Sequence, residues 1–141
     1  MKTGDFKVLI IGAGIGGLTT ALALAQNGVH VEIFEKAAKF SDIGAGLQLS
    51  PNAMTVLSSL GLSKEIEAIC CEPTAGILRD YKSGKALLTT KMKGVYERRY
   101  GHKYLHIHRA DLIDCLANAA KDAGVKIHFD SMVSAVRETE K

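Results

Sequence analysis

The chain opens on a continuous apolar run, Val8-Leu9-Ile10-Ile11, the pattern of a strand buried on both faces. The period then changes. Ile15, Leu18, Ala21, Leu22 and Ala25 recur at helical spacing and predict a helix from Ile15 to Gln26. Asn27-Gly28 stops it, since glycine suits the left-handed position after a helix. Val29, Val31 and Ile33 alternate as a second strand that ends in Phe34-Glu35.

Between the first strand and the helix lies Gly12-Ala13-Gly14-Ile15-Gly16-Gly17, which fits G-x-G-x-x-G through Gly12, Gly14 and Gly17. The expected division of labour is physical. Gly12 permits the tight turn, Gly14 lets backbone approach a pyrophosphate, and Gly17 lets helix and strand pack closely. The helix N-terminus offers free N–H groups to phosphate oxygens. Glu35 lies 21 residues after Gly14, close to the spacing of the acid that holds a ribose 2′-hydroxyl. A carboxylate there repels a 2′-phosphate, so the site suits FAD or NAD better than NADP. Val8 to Asn27 carries no charge and follows Lys2 and Lys7, as a secretory leader can. Its glycines and the β-branched strand after it argue against a leader, and Thr19-Thr20 and Gln26-Asn27 against a membrane span.

Further along, Lys36 to Ile43 reads as a loop, and Gly44-Ala45-Gly46-Leu47-Gln48-Leu49 as backbone passing close to a ligand. Ser50-Pro51 predicts a helix start, with Ser50 as cap and Pro51 at the first helical position. Met54, Leu57 and Leu60 lie on its apolar stripe and Gly61 ends it; Ser63 to Ile69 is a second short helix. Ile77–Tyr81 and Ala86–Thr89 flank Lys82-Ser83-Gly84-Lys85 as a hairpin, expected to belong to a meander on the main sheet. Lys91 to Lys103, with five Lys or Arg, reads as a solvated loop. Tyr104–His108 alternates as a strand, Arg109 opens a helix stopped by Gly124, and Val125, Ile127 and Phe129 alternate as another strand. Val133 to Arg137 begins a last one.

Composition narrows the classes. The chain has 141 residues, one domain's worth, with 47% hydrophobic and 23% charged residues, as soluble globular proteins do. A net charge of +3 is too mild to imply nucleic acid. Cys70, Cys71 and Cys115 are odd in number and lack metal spacing, which points to reduced thiols in the cytoplasm. His106 and His108 share a strand face as metal ligands can, but no third ligand is evident and no metal is expected.

Taken with the Gly12–Gly17 loop and Glu35, three further segments carry a family resemblance. They are Gly44 to Ala53, Leu60-Gly61-Leu62 and Tyr104 to Leu112. Over essentially its whole length the chain resembles the N-terminal part of the single-component flavoprotein aromatic hydroxylases, the salicylate-hydroxylase-like branch in particular. The resemblance implies a Rossmann-type α/β fold with a parallel sheet, covering helices and an added β-hairpin. It implies FAD as cofactor, NADH or NADPH as electron donor and a small aromatic substrate. By resemblance, Gly12, Gly14, Ile15, Gly16, Gly17, Glu35 and Lys36 bind the adenosine and pyrophosphate end, and Val133 sits by the adenine. Arg109 lies along the pyrophosphate and ribityl chain, while Gly46 and Gln48 pass the flavin ring, with Gln48 near the substrate. The family's later Asp-Gly and Gly-Asp motifs and its substrate-covering sheet are absent from these residues. The expectation is therefore a fragment, residues 1–141 of an FAD-binding domain, incomplete at the C-terminus and inactive alone. No nucleic-acid or membrane partner is expected, and self-association through exposed sheet surface is. A NAD-binding module of a dehydrogenase, and a non-catalytic remnant that binds a partner, stay open as alternatives.

Overall fold

The structure is a computed structural model that describes residues 6–40 and 45–138. Residues 41–44, the end of the expected 36–43 loop together with Gly44, lie outside the described residues. The elements are β1 (Lys7–Ile11), α1 (Ile15–Gln26), β2 (His30–Phe34), β3 (Gly46–Leu49), α2 (Pro51–Ser59), α3 (Ser63–Ile69), β4 (Ala75–Arg79), β5 (Ala86–Lys91), α4 (Val95–Tyr100), β6 (Leu105–His108), α5 (Arg109–Asp122) and β7 (Lys126–His128). They form two compact units: Met1–Ile43 with Leu112–Lys141, and Gly44–Asp111.

The first unit is a Rossmann-type α/β layer. Its sheet runs β1-β2-β7, all parallel, with Val8 opposite Val31, Ile10 opposite Ile33, and Ile33 opposite Ile127. Val31 and Ile33 are buried on one face, together with Leu18, Ala21 and Leu22 of α1 and Leu112, Leu116 and Ala120 of α5. Burying these side chains is the main stabilising term, about 1.5–3 kcal/mol for each large one. Gly28 (φ 77°) and Gly124 (φ 88°) end their helices in the left-handed region, as the sequence predicts. Residues 133–137 form no strand, although they alternate. A strand needs a ladder partner, and none of the described strands pairs with them.

In the second unit, β3 and β6 pair antiparallel, and β6 bridges Cys71 on its other side. Leu49, Leu105 and Ile107 bury one face with Met54, Leu57, Leu60, Leu62 and Ile66, leaving Gln48, His106 and His108 exposed on the other. β4 and β5 form the expected hairpin, but as their own two-stranded sheet rather than part of a meander on the parallel one. The Lys91–Lys103 segment is not all loop: α4 forms between Gly94 and Gly101, both at positive φ. Ser50 stands at the N-cap of α2 with extended backbone, but its hydroxyl donates to Asn52 Oδ1 and does not cap the helix backbone.

Candidate cofactor-binding site

The glycine loop leaves β1 and enters α1, and each of its glycines meets different surroundings. Gly12 (φ 94°) makes the tight turn and donates its N–H to Phe34 O at 2.8 Å, which ties the loop to the end of β2. At Gly17 a Cβ would lie 2.0 Å from Gly12 O and 3.4 Å from Ile10 Cγ2. Close loop–helix packing therefore forbids a side chain there. Gly14 and Gly16 are different: a Cβ at either meets nothing within 4 Å. Gly14 has ordinary extended backbone (φ −76°), so neither sterics nor conformation requires glycine there. The space above it is open to a ligand. α1 has no side-chain cap and no acidic residue in its first turn, so its leading N–H groups remain available to an anion.

Glu35 closes the opposite side. Its Oε1 accepts from Ala37 N–H at 2.9 Å and its Oε2 from Ala13 N–H at 2.8 Å. These donors, Ala37 first, together with the charge of Lys36, hold the carboxyl below its ordinary range, so it is ionised at neutral pH. Each oxygen keeps lone-pair capacity for a hydroxyl donor. The chain after β7 folds back onto this corner. Glu35 N–H donates to His128 O at 2.8 Å, Asp130 takes positive φ, and Ser131 N–H returns to Glu35 O at 2.9 Å. That turn brings Val133 to the site.

A cavity of about 270 Å³ results, lined by Ile11, Gly12, Phe34, Glu35, Lys36, Ser131, Met132 and Val133. It unites four residues singled out from sequence: Gly12, Glu35, Lys36 and Val133. Ser131 and Met132 carry no sequence signal of their own. The Ala13 N–H could not have been found either, because a backbone donor leaves no mark on residue identity. Open space over Gly14, free helix N–H groups and an ionised carboxylate at the rim suit the phosphates and ribose of an ADP-bearing cofactor.

Gly46, Gln48 and Arg109 belong to the second unit. Gly46 pairs with His108 and Gln48 with His106 across the β3–β6 ladder, and Arg109 N–H donates to Ala45 O at 3.2 Å. A Cβ at Gly46 would meet nothing within 4 Å. Gln48 Oε1 accepts from the Tyr104 hydroxyl, a contact that depends on strand register and is invisible in sequence.

The chain is 37% identical over 127 residues to 3-amino-4-hydroxybenzoate 2-monooxygenase of Streptomyces cremeus, covering 90% of this chain and 32% of that protein. It is 33% identical over 133 residues to 3-hydroxybenzoate 6-hydroxylase of Polaromonas naphthalenivorans (strain CJ2), covering 94% and 33%. It thus spans about a third of the length of the curated relatives it matches. Among solved structures, CtdE in complex with FAD and its substrate superposes with a TM-score of 0.81 at 30% identity, over 94% of this chain and 32% of that one. The tetrameric form of 2-methyl-3-hydroxypyridine-5-carboxylic acid oxygenase gives 0.77 at 28%, over 88% and 31%. The family described as FAD binding domain matches residues 5–141, and the chain, glycine loop, Glu35 and all, belongs to it.

Proposed function

We propose that residues 1–141 are the N-terminal part of the FAD-binding domain of an aromatic-ring monooxygenase that takes electrons from NADH or NADPH and hydroxylates a phenolic or aromatic acid. The observation that carries this reading is the Glu35–Ala13 link across an open Gly14. It places a carboxylate and a phosphate-ready helix end on one corner, in a chain whose relatives are aromatic hydroxylases.

Bound FAD supplies the redox and oxygen chemistry. The protein residues bind and orient it. Gly12, Gly14, Ile15, Gly16 and Gly17 meet the pyrophosphate through backbone N–H groups, Glu35 takes the ribose hydroxyls, and Lys36 and Val133 flank the adenosine. Gly46, Gln48 and Arg109 take the flavin and ribityl end, where the Arg109 fork pairs with phosphate oxygen. A cytoplasmic setting follows the sequence reading of Cys70, Cys71 and Cys115, odd in number and without metal spacing, as reduced thiols. No helix among the described residues is long and apolar enough to cross a membrane. Leu9 and Ile11, 57% and 62% exposed on the face of β1 opposite α1, support self-association of these residues when expressed alone.

The test is titration of the purified chain with FAD, FMN, NAD and ADP, followed by flavin fluorescence and calorimetry. FAD is expected to bind, ADP to compete, and FMN, which lacks the adenosine, to bind weakly. Binding of NAD with no binding of FAD would replace this reading with a dehydrogenase module.

A further inference from the structure

We propose that the β4–β5 hairpin is a docking edge that takes an extended chain segment as a third strand along β5, and that the segment it fits is apolar in its middle and acidic at its ends. The hairpin is a sheet of its own, and two strands alone are marginal in water. Ile77, Leu78, Leu87 and Leu88 are 49–66% exposed. All six residues of β5 face solvent, whereas β4 starts half-buried at Ala75 and Gly76, so the open edge is that of β5. Met92 N–H donates to Thr74 O at 3.0 Å, and the alternation of an antiparallel ladder then makes Gly76–Thr90 and Leu78–Leu88 the bonded pairs. Thr89 and Lys91 turn their backbone N–H and C=O away from β4, and none of the described strands meets them. Such groups are a template for a further strand. Charge identifies the occupant. Lys85 and Lys91 flank β5, and Arg79 and Lys82 lie on the same hairpin. The one acid of residues 75–91, Asp80, is engaged in the turn, where it accepts from Ser83 N–H at 2.7 Å. Pairing β5 with a second β5, in either direction, brings lysines together, which like charges oppose. A lipid surface would meet the tip or one face. The tip carries Asp80, Lys82 and Lys85, and the apolar side chains lie on both faces, Ile77 beside Thr89 on one and Leu78 beside Leu88 on the other. An added strand offers side chains to both faces at once, and carboxylates at its ends meet the two lysines.

The experiment titrates the 141-residue chain, at low salt, into two labelled peptides of alternating valine and threonine, one ending in glutamates and the other in lysines, and follows fluorescence anisotropy. The glutamate peptide is expected to bind about tenfold more tightly, the swing between attractive and repulsive surface pairs at both ends. In Lys85→Glu/Lys91→Glu the order should reverse. Thr89→Pro removes an outward donor at a position where an edge strand accepts proline, and its ring blocks a neighbouring strand, so it should weaken the glutamate peptide by about tenfold or more. None of these residues is among those assigned to FAD, so FAD binding should be unchanged in every variant. If Thr89→Pro alters the circular-dichroism spectrum, the charge-reversed variant decides alone. Equal binding of the two peptides, an order that survives charge reversal, or no binding of either overturns the proposal. A well-folded Thr89→Pro protein that binds as tightly as wild type overturns the pairing edge. Binding to vesicles of phosphatidylserine and phosphatidylcholine, with no binding of peptide, would reassign the hairpin to a lipid surface.

Discussion

Glu35 Oε2 accepts a hydrogen bond at 2.8 Å from the N–H of Ala13, 22 residues earlier in the chain, while Oε1 accepts from Ala37. One carboxylate thus anchors the glycine loop before any ligand arrives and offers its remaining lone pairs to a ribose. Ala13 is 3% exposed, so removing the carboxylate leaves a buried donor unpaired. Glu35→Ala is expected to weaken ADP and FAD binding by about 1.5–3 kcal/mol, the range for hydrogen bonds to a charged group. Glu35→Gln should fall between, because it keeps one carbonyl acceptor and turns an NH2 toward a backbone donor. Calorimetric titration with ADP checks both. Equal affinities would leave Glu35 as a loop anchor alone.

Two glycines of the loop separate binding from folding. Gly17→Ala puts a Cβ 2.0 Å from a backbone oxygen that cannot rotate away, and should destabilise the fold by about 1–3 kcal/mol, as overpacking does. Gly14→Val fills open space and should leave the circular-dichroism spectrum and melting curve largely unchanged while abolishing FAD binding. If Gly14→Val unfolds the protein, Gly14 is a packing glycine and the open space above it has no functional meaning.

Acid stability should report on the sheet. The Glu32 carboxylate on β2 lies 2.8 Å from Lys7 Nζ of β1 and 3.0 Å from His128 Nε2 of β7, with His30 at 3.4 Å. The Lys7 hydrogen bond is the largest cause of its lowered pKa, which falls from 4.5 to about 2 against the opposing effect of burial, helped by His128 and His30. A carboxylate with a depressed folded pKa stabilises the fold fully above its unfolded value and loses that contribution as pH falls through the folded one. The melting temperature should therefore drop between pH 4.5 and about 2, and less steeply in Glu32→Gln. Molar salt should narrow the difference by screening the pair. Parallel pH profiles for the two proteins would remove Glu32 from the acid transition.

What could be read from sequence was local. The 15–26 helix follows from apolar spacing and Gly28, and the glycine loop with Glu35 follows from chemistry that demands particular residue types. β3 was not legible. Gly46-Leu47-Gln48-Leu49 becomes a strand because Leu105–His108, far along the chain, pairs with it, and strand formation depends on such neighbours more than on propensity. α4 is six residues long, too short for an apolar period to show. Residues 133–137 mislead in the other direction, since they carry the alternation of a strand without a partner among the described strands. The same limit applies at the site. Tyr104 and Gln48 meet only because of the β3–β6 register, and a one-residue slip would turn Gln48 to the other face.

Arg109 allows stability and binding to be separated at one position. It begins α5, where a cation opposes the helix dipole by about 0.3–1 kcal/mol. Its backbone N–H is used by Ala45 O, whereas its guanidinium forms no ion pair among the described residues. A residue kept there for the fold alone would be better served by a neutral or acidic side chain. Arg109→Ala should therefore keep or slightly raise the melting temperature of the ligand-free protein, since the backbone bond survives and the unfavourable charge goes. It should also weaken FAD by about 1.5–3 kcal/mol through the lost phosphate contact, with little change for adenosine, which has no phosphate. Arg109→Lys should recover only part of the loss, because an ammonium cannot make the paired bonds of a guanidinium fork. Calorimetry with FAD and adenosine, together with melts of the ligand-free proteins, decides it. If the variant melts lower and loses adenosine as strongly as FAD, Arg109 acts through the fold and its place along the pyrophosphate is refuted.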